Sequence, residues 1–413
     1  MAVSTDKRRV LSEDLLETFG QRAGEYDRQN RFFAEDLKDL AAIGYSKIAV
    51  PRSFGGLDFT LPDLVNEQRR LAYRAPATAL ALNMHLYWTG AAADISKAGD
   101  TSADWILEET AAGKIFASGH GEPGNDAGIT NSLTRAEPLG DGSYRFTGHK
   151  IFTSLSPVWD WIGVHGRDDS DPSNPRIVHA FIRRSARGVR SVETWDALGM
   201  RATRSDDTLL DGAIAEAAHV LRVLPVGPPI DNYVASILGW ALPIISVVYV
   251  GLAERAFDLA LEGARRRKSL VLGGKTIGEH ALVQDKIATA AIELDAIRAH
   301  VERLAQDWAD RVDYGPMWAA KLFAAKVHAV EGARRVVDLA LNIEGAGSLA
   351  RSNELERLYR DVRAGGFHPP SANTASEVIA RSYLNLPATV TAAEQAASSH
   401  HNGSAVDKTL PLS

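Results

Sequence analysis

The sequence predicts an α+β multidomain chain: an N-terminal α-helical domain, a middle antiparallel β-barrel or sandwich domain, and a C-terminal antiparallel four-helix bundle. Two changes of texture and one long apolar stripe predict it. Residues 1–113 read as helices, 114–222 as short strand-like runs broken by Gly, Asp, Pro and Ser, and 223–398 as long helices. A chain of 413 residues has room for two or three domains at about 150 residues each. Its 45% hydrophobic and 24% charged residues match an ordinary globular composition.

In the first block, Ser12 is placed to cap a helix over 13–22, followed by helices over 31–43, 61–73, 76–97 and 101–112. Pro76 suits a first helical position, where its missing N–H is not needed. Gly44 and the Pro51-Arg-Ser-Phe-Gly55-Gly56 cluster punctuate loops. The β block holds strand-like runs at 143–153, 159–167 and 177–183, and Gly140-Asp-Gly142 signals a hairpin. No long helix interrupts that block, so an antiparallel sheet is expected. In the third block Ile287, Ala290, Leu294, Ile297, Val301, Leu304 and Trp308 recur at steps of three and four. That spacing puts one apolar stripe on a long helix, and Trp318, Leu322, Val330, Ala333 and Val337 repeat it on the next. The tail, 399–413, lacks periodicity and is expected to be mobile.

Several chemistries are excluded early. The chain has no cysteine, which removes disulfides, thiolate metal sites and a thiol nucleophile and fits a reducing cytoplasm. Lys plus Arg number 46 against 52 Asp plus Glu, a net −6, so no basic field is available to hold nucleic acid. Residues 233–253 carry no charge over a span-length run. Pro243, two serines and two glycines interrupt it, so it reads as a buried core helix and no membrane association is expected. Gly345-Ala-Gly347-Ser-Leu-Ala350 matches a dinucleotide fingerprint by spelling, but helical sequence precedes it where a strand is required. His400-His401 has no partner ligands, so no metal site is expected.

Three segments could carry chemistry. Ala117-Ser118-Gly119-His120-Gly121-Glu122-Pro123-Gly124 opens the β block with small residues that let backbone approach a flat ligand. It reads equally well as a glycine-rich turn into a strand. Gly148-His149-Lys150-Ile151-Phe152-Thr153-Ser154 ends a strand with an aromatic beside two hydroxyls. Phe152 could stack on a ring while Thr153 or Ser154 bonds its heteroatoms; the bland reading makes Phe152 core. Gly365-Gly366-Phe367-His368-Pro369-Pro370 forms a fixed turn between helices. Its imidazole suits proton transfer near neutrality, or satisfies a helix end.

In this order, on an α–β–α chain, these segments resemble the acyl-CoA dehydrogenase superfamily of flavoproteins. Further matches are Pro51–Gly56, Leu198-Gly-Met-Arg-Ala-Thr-Arg-Ser205-Asp206, Gly251-Leu-Ala-Glu-Arg-Ala-Phe, Asn342-Ile-Glu-Gly345-Ala-Gly347 and Tyr359-Arg360-Asp361. The resemblance implies a flavin, FAD or alternatively reduced FMN, clamped between the β domain and the bundle of a homotetramer. It places Phe152 against the ring system, Ser154 at its reactive edge, Thr153 beside them on the same flavin-binding strand, and Ser118 and Gly121 in the same pocket. It also places Arg267 at a neighbour's pyrophosphate and Asn342, Gly345 and Gly347 at the adenosine end. His120 and Trp240 then become candidates to face substrate.

The resemblance also shows two departures. The family's carboxylate base normally follows the Arg-Asp segment; here Phe367-His368-Pro369-Pro370 stands there. The alternative position, at the start of the first bundle helix, holds Trp240-Ala241-Leu242-Pro243. Either His368, or His85 from Asn83-Met-His85-Leu-Tyr-Trp88, replaces that base, or the reaction differs. The readings are an oxidoreductase of acyl thioesters, a two-component flavin monooxygenase acting on a small aromatic or amine, and a catalytically silent relative. An electron-transfer or flavin-reductase partner accompanies the first two.

Overall fold

The computed structural model describes residues 8–125, 128–227 and 231–387; the tail call at 399–413 lies outside them. Five helices come first: α1 (Glu13–Arg28), α2 (Ala34–Ala42), α3 (Leu61–Arg74), α4 (Pro76–Lys97) and α5 (Asp104–Ala111). The expected cap at Ser12 forms, and a second one joins it. Ser12 Oγ accepts from Leu15 N at the head of α1, and Thr60 and Asp63 close a reciprocal box at the head of α3. α1 runs six residues past its predicted end at 22, through Tyr26 and Asp27, both buried.

Eight strands follow: β1 (Phe116–Gly119), β2 (Arg135–Pro138), β3 (Tyr144–Thr153), β4 (Trp161–Asp168), β5 (Arg176–Arg183), β6 (Val189–Val192), β7 (Asp206–Ala215) and β8 (Val220–Pro225). Their order is β6-β7-β3-β2-β4-β5-β8, with β1 added beside β4. The sheet is mostly antiparallel, but it is mixed: β1 runs parallel to β4, and β2 touches β4 in parallel. A parallel pair needs a long crossover, and residues 120–160 supply it through β2 and β3, with no α-helix among the described residues. That crossover is why the sequence texture pointed to a purely antiparallel sheet. The sheet encloses its own core around Phe146, Trp159, Ile162 and Val178.

The last block is α6 (Asn232–Arg266), α7 (Ala281–Ala309), α8 (Trp318–Glu344), α9 (Glu354–Arg363) and α10 (Ala372–Tyr383). Among the described residues α6 alone has the length and apolarity to cross a membrane, and 89% of its most apolar stretch is buried. It packs on α3 and α4 as well as on α7 and α8. The N-terminal helices and the bundle therefore share one apolar core, with α6 as its axis.

A polar knot joins that core to the β domain. Met200 N donates to Asp361 Oδ1 at 2.5 Å, and Arg360 holds both carboxylate oxygens of Asp27 at 2.9 and 2.6 Å. Arg201 Nε reaches the Asp27 carbonyl at 2.9 Å. Gly199 is required here, since a Cβ on it would lie 2.4 Å from the Arg360 carbonyl oxygen. Asp361 is fully buried, and burial raises its carboxyl to about 6 despite Arg357.

Candidate functional site at the end of the third strand

The pairing of β3 with β7 slips between Lys150 and Thr153, and this irregularity turns the strand end outward. Phe152 adopts φ +60° and is 61% exposed, its ring edge-on to Trp195 at 6.1 Å. A bulky residue in the left-handed region and facing solvent is held there by its surroundings. Ile151 N donates to the Gly121 carbonyl at 2.9 Å, and a Cβ on Gly121 would lie 2.8 Å from the Ile151 carbonyl oxygen. The two candidate segments therefore lie backbone to backbone.

Thr153 is buried and accepts from Thr208 Oγ1 at 3.1 Å. Ser154 Oγ lies 2.7 Å from Ser205 Oγ, which lies 2.7 Å from Thr203 Oγ1. Thr203 Oγ1 donates to the Met200 carbonyl at 2.8 Å. Ser118 Oγ lies 3.3 Å from His120 Nδ1, while His120 Nε2 is buried without a hydrogen-bond partner among the described residues. Behind them Lys150 is buried and donates to Glu122 Oε1 at 2.6 Å and to the His165 carbonyl at 2.8 Å. Burial pulls the Lys150 ammonium down to about 8. Burial works against the Glu122 carboxylate too, but Lys150 and its other donors hold it at about 2. Burial with the nearby His179 and Lys150 pushes His120 down to about 3.

The turn after α9 is built by packing. Gly365 sits against Val330 and the Tyr249 ring, where a Cβ would come within 2.8 and 3.1 Å. Lys326 Nζ donates to the carbonyls of His368 at 2.7 Å and Pro370 at 2.9 Å. His368 Nε2 then meets the hydroxyl of Tyr249 at 2.6 Å. Burial, reinforced by Lys326, pushes the His368 imidazole down to about 3. Tyr249 has no other hydrogen-bond partner among the described residues, so its single proton goes to Nε2. The imidazole is neutral with its hydrogen on Nδ1.

Three sequence expectations need correction. His85 is not available for proton transfer: it is fully buried, Nε2 donates to the Ser46 carbonyl at 2.7 Å, and Nδ1 accepts from Phe116 N at 3.1 Å. Trp240 does not face substrate. Its ring covers Gly90 and its Nε1 donates to Asp94 Oδ2 at 2.8 Å, an oxygen that Trp308 Nε1 also reaches at 2.8 Å. Arg267, expected at a neighbour's pyrophosphate, lies beside the 342–347 turn, and its guanidinium is engaged within the chain. Its Nη1 donates to the carbonyls of Ile343 and Glu344, with the Glu344 carboxylate 3.8 Å away.

The structure thus gathers Ser118, His120, Gly121, Phe152, Thr153 and Ser154 at one end of the β domain. The Met200–Asp361 bond sets α9, which leads into the His368 turn, beside the loop carrying Thr203 and Ser205. Arg267, Asn342, Gly345 and Gly347 form a separate cluster where α8 ends; Gly345 there has φ +77° and Asn342 is exposed. Tyr249, Lys326, Thr203 and the Lys150–Glu122 pair were not singled out as site residues. A tyrosine and a lysine on the inward faces of apolar helices were the only signal available for the first two.

The family model for the acyl-CoA dehydrogenase C-terminal domain matches residues 243–370. The chain is 31% identical over 380 residues to YdbM of Bacillus subtilis (strain 168), whose name assigns it provisionally to the acyl-CoA dehydrogenases; the match covers 89% of this chain and 95% of that one. It is also 31% identical over 381 residues to the amino sugar nitrososynthase DnmZ of Streptomyces peucetius, covering 88% and 89%. Among solved structures, KijD3 in complex with FMN and a dTDP-linked amino keto sugar superposes with a TM-score of 0.82 at 26% identity, covering 93% of this chain and 94% of that one.

Proposed function

The chain belongs to the acyl-CoA dehydrogenase family, and on that premise we propose that it is a flavin-dependent monooxygenase of a small amine, or alternatively a small aromatic, supplied with reduced flavin by a partner reductase. The observation that carries this reading is the state of His368. Thioester desaturation needs a base positioned for a weakly acidic carbon. An imidazole whose Nε2 is taken by Tyr249, and whose conjugate acid sits near 3, is a poor base. The closest carboxylate in sequence, Asp361, is buried and bonded to Met200 N. Oxygenation asks for a neutral hydrogen-bond donor more than for a carboxylate base, and the turn can offer one.

The site residues fit a flat ring system. Phe152 offers an exposed aromatic face, Gly121 beside Ile151 presents backbone with no Cβ, and His120 Nε2 is a buried nitrogen without a hydrogen-bond partner among the described residues. Phe152, Gly121, Ser118 and Ser154 would hold the ring. A bound reduced flavin supplies the electrons that activate oxygen. His368 Nδ1–H donates a hydrogen bond without changing charge, and Lys326 fixes the turn that carries it. The mononucleotide is the better-fitting form of the cofactor: Arg267 is committed to the end of α8 and Glu344 places negative charge where a pyrophosphate was expected. The amine is favoured among substrates by the likeness to proteins named for amino-sugar chemistry. A homotetramer in the cytoplasm completes the reading.

Anaerobic mixing of the flavin-loaded protein with a panel of acyl-CoA thioesters is expected to leave the visible flavin band intact. Adding reduced FMN and oxygen with an amine is expected to yield oxygenated product. Bleaching by a thioester without oxygen would establish the dehydrogenase reading, which the likeness to YdbM favours. Absence of both reactions would leave a silent relative.

A further inference from the structure

The three hydroxyls behind Phe152 have a fixed direction. Thr203 has one hydroxyl hydrogen, and it goes to the Met200 carbonyl at 2.8 Å. The 2.7 Å contact between Thr203 and Ser205 must therefore be donated by Ser205. That uses the only hydrogen of Ser205, so the 2.7 Å contact between Ser205 and Ser154 must be donated by Ser154. Thr203 and Ser205 are almost wholly buried, at 1% and 5% exposure, and neither has another hydroxyl partner among the described residues. The loop that bears them is braced at both ends: Leu155 N and Ser156 N donate to the Thr203 and Arg204 carbonyls at 3.1 and 3.2 Å. What Ser154 has left is lone pairs.

We propose that this Ser154–Ser205–Thr203 chain makes Ser154 an acceptor only, so that the site prefers reduced over oxidised flavin. The inference rests on the function proposed above, in which Ser154 meets the reactive edge of the ring. Nitrogen N5 of the isoalloxazine carries a hydrogen in the reduced form and only a lone pair in the oxidised form. Reduced flavin gives Ser154 the donor it lacks, whereas oxidised flavin sets two acceptors against each other. Ser205 and Thr203 are positioning residues: they touch no ring atom and act through the hydrogen on Ser154. A preference of this kind lets the protein take reduced flavin from a donor and release the oxidised product.

The test compares dissociation constants for oxidised and reduced FMN, the latter measured anaerobically, in the whole chain. The wild type is expected to bind the reduced form about tenfold more tightly, the scale of one hydrogen bond made or left unmade. That raises the midpoint potential of bound flavin by about 30 mV. In Thr203→Val, Ser205 has no acceptor there and can donate to Ser154, whose hydrogen is then free for the ring; the preference is expected to disappear or reverse. In Ser205→Ala it is expected to fall towards unity. A ratio identical in wild type and both variants would overturn the proposal while leaving the monooxygenase reading intact. Failure to bind flavin in either form would overturn both.

Discussion

Tyr249 and His368 lie 119 residues apart in sequence and 2.6 Å apart in space, phenol oxygen to Nε2. The contact exists because Gly365 lets the turn settle onto the tyrosine ring and because Lys326 holds two of its carbonyls. Removing the phenol hydrogen leaves Nε2 unpartnered and frees the ring to change tautomer. Tyr249→Phe is expected to retain flavin, to lose about 1–3 kcal/mol of stability, and to lower turnover roughly tenfold. His368→Gln is expected to lower turnover similarly. Unchanged turnover in both variants would remove the pair from the mechanism.

Five imidazoles, with His85, His165 and His179 buried and His120 and His368 partly exposed, make folding acid-sensitive. Burial depresses His85 and His179 to about 4, His120 and His368 to about 3, and His165 well below its ordinary value. Each is lower in the folded state, so the unfolded chain takes up protons first as pH falls below about 6.5. The contribution of these five rings to stability is then flat above neutrality and declines between about 6.5 and 4, by up to about 1.4 kcal/mol per pH unit per imidazole. Urea midpoints at pH 7.5 and 5.5 measure this, and equal midpoints would show that these rings are not held neutral.

Phe152 is exposed at a strained φ, so its ring contributes little to the free fold. Phe152→Ala is expected to leave thermal stability within about 0.5 kcal/mol and to weaken flavin binding about tenfold. Equilibrium dialysis against FMN reads the second effect. Full flavin retention in the variant would count against the stacking role.

Asp94 accepts from two indoles, Trp240 on α6 and Trp308 on α7. Asp94→Ala strands both N–H groups, at roughly 1–3 kcal/mol each, and KM for substrate is expected to stay unchanged. A change in KM without a change in melting temperature would return Trp240 to the substrate-facing set.

Helical periodicity made α7 and α8 legible, and the strand-ending Lys150–Ser154 run pointed to the end of β3, on which the candidate site is built. What sequence could not convey was pairing across the fold. The engagement of His85 depends on Ser46 and Phe116, 39 and 31 residues away. The uncharged run at 233–253 spoke for a core helix, not for Tyr249 as the partner of a distant turn. The engagement of Arg267 by the carbonyls of Ile343 and Glu344 follows from where α8 stops, which is a matter of three-dimensional proximity. The parallel pairing of β1 was hidden for the same reason.

Asp27 sits on the first helix, yet through Arg360 and Arg201 it touches the same loop that orients Ser154. On the proposal above, exchanging the first helix would shift the flavin preference as well as disturb the apolar core that Leu16, Phe19 and Tyr26 help to fill. Chimeras between relatives should keep 27, 199–205 and 360–361 from a single parent.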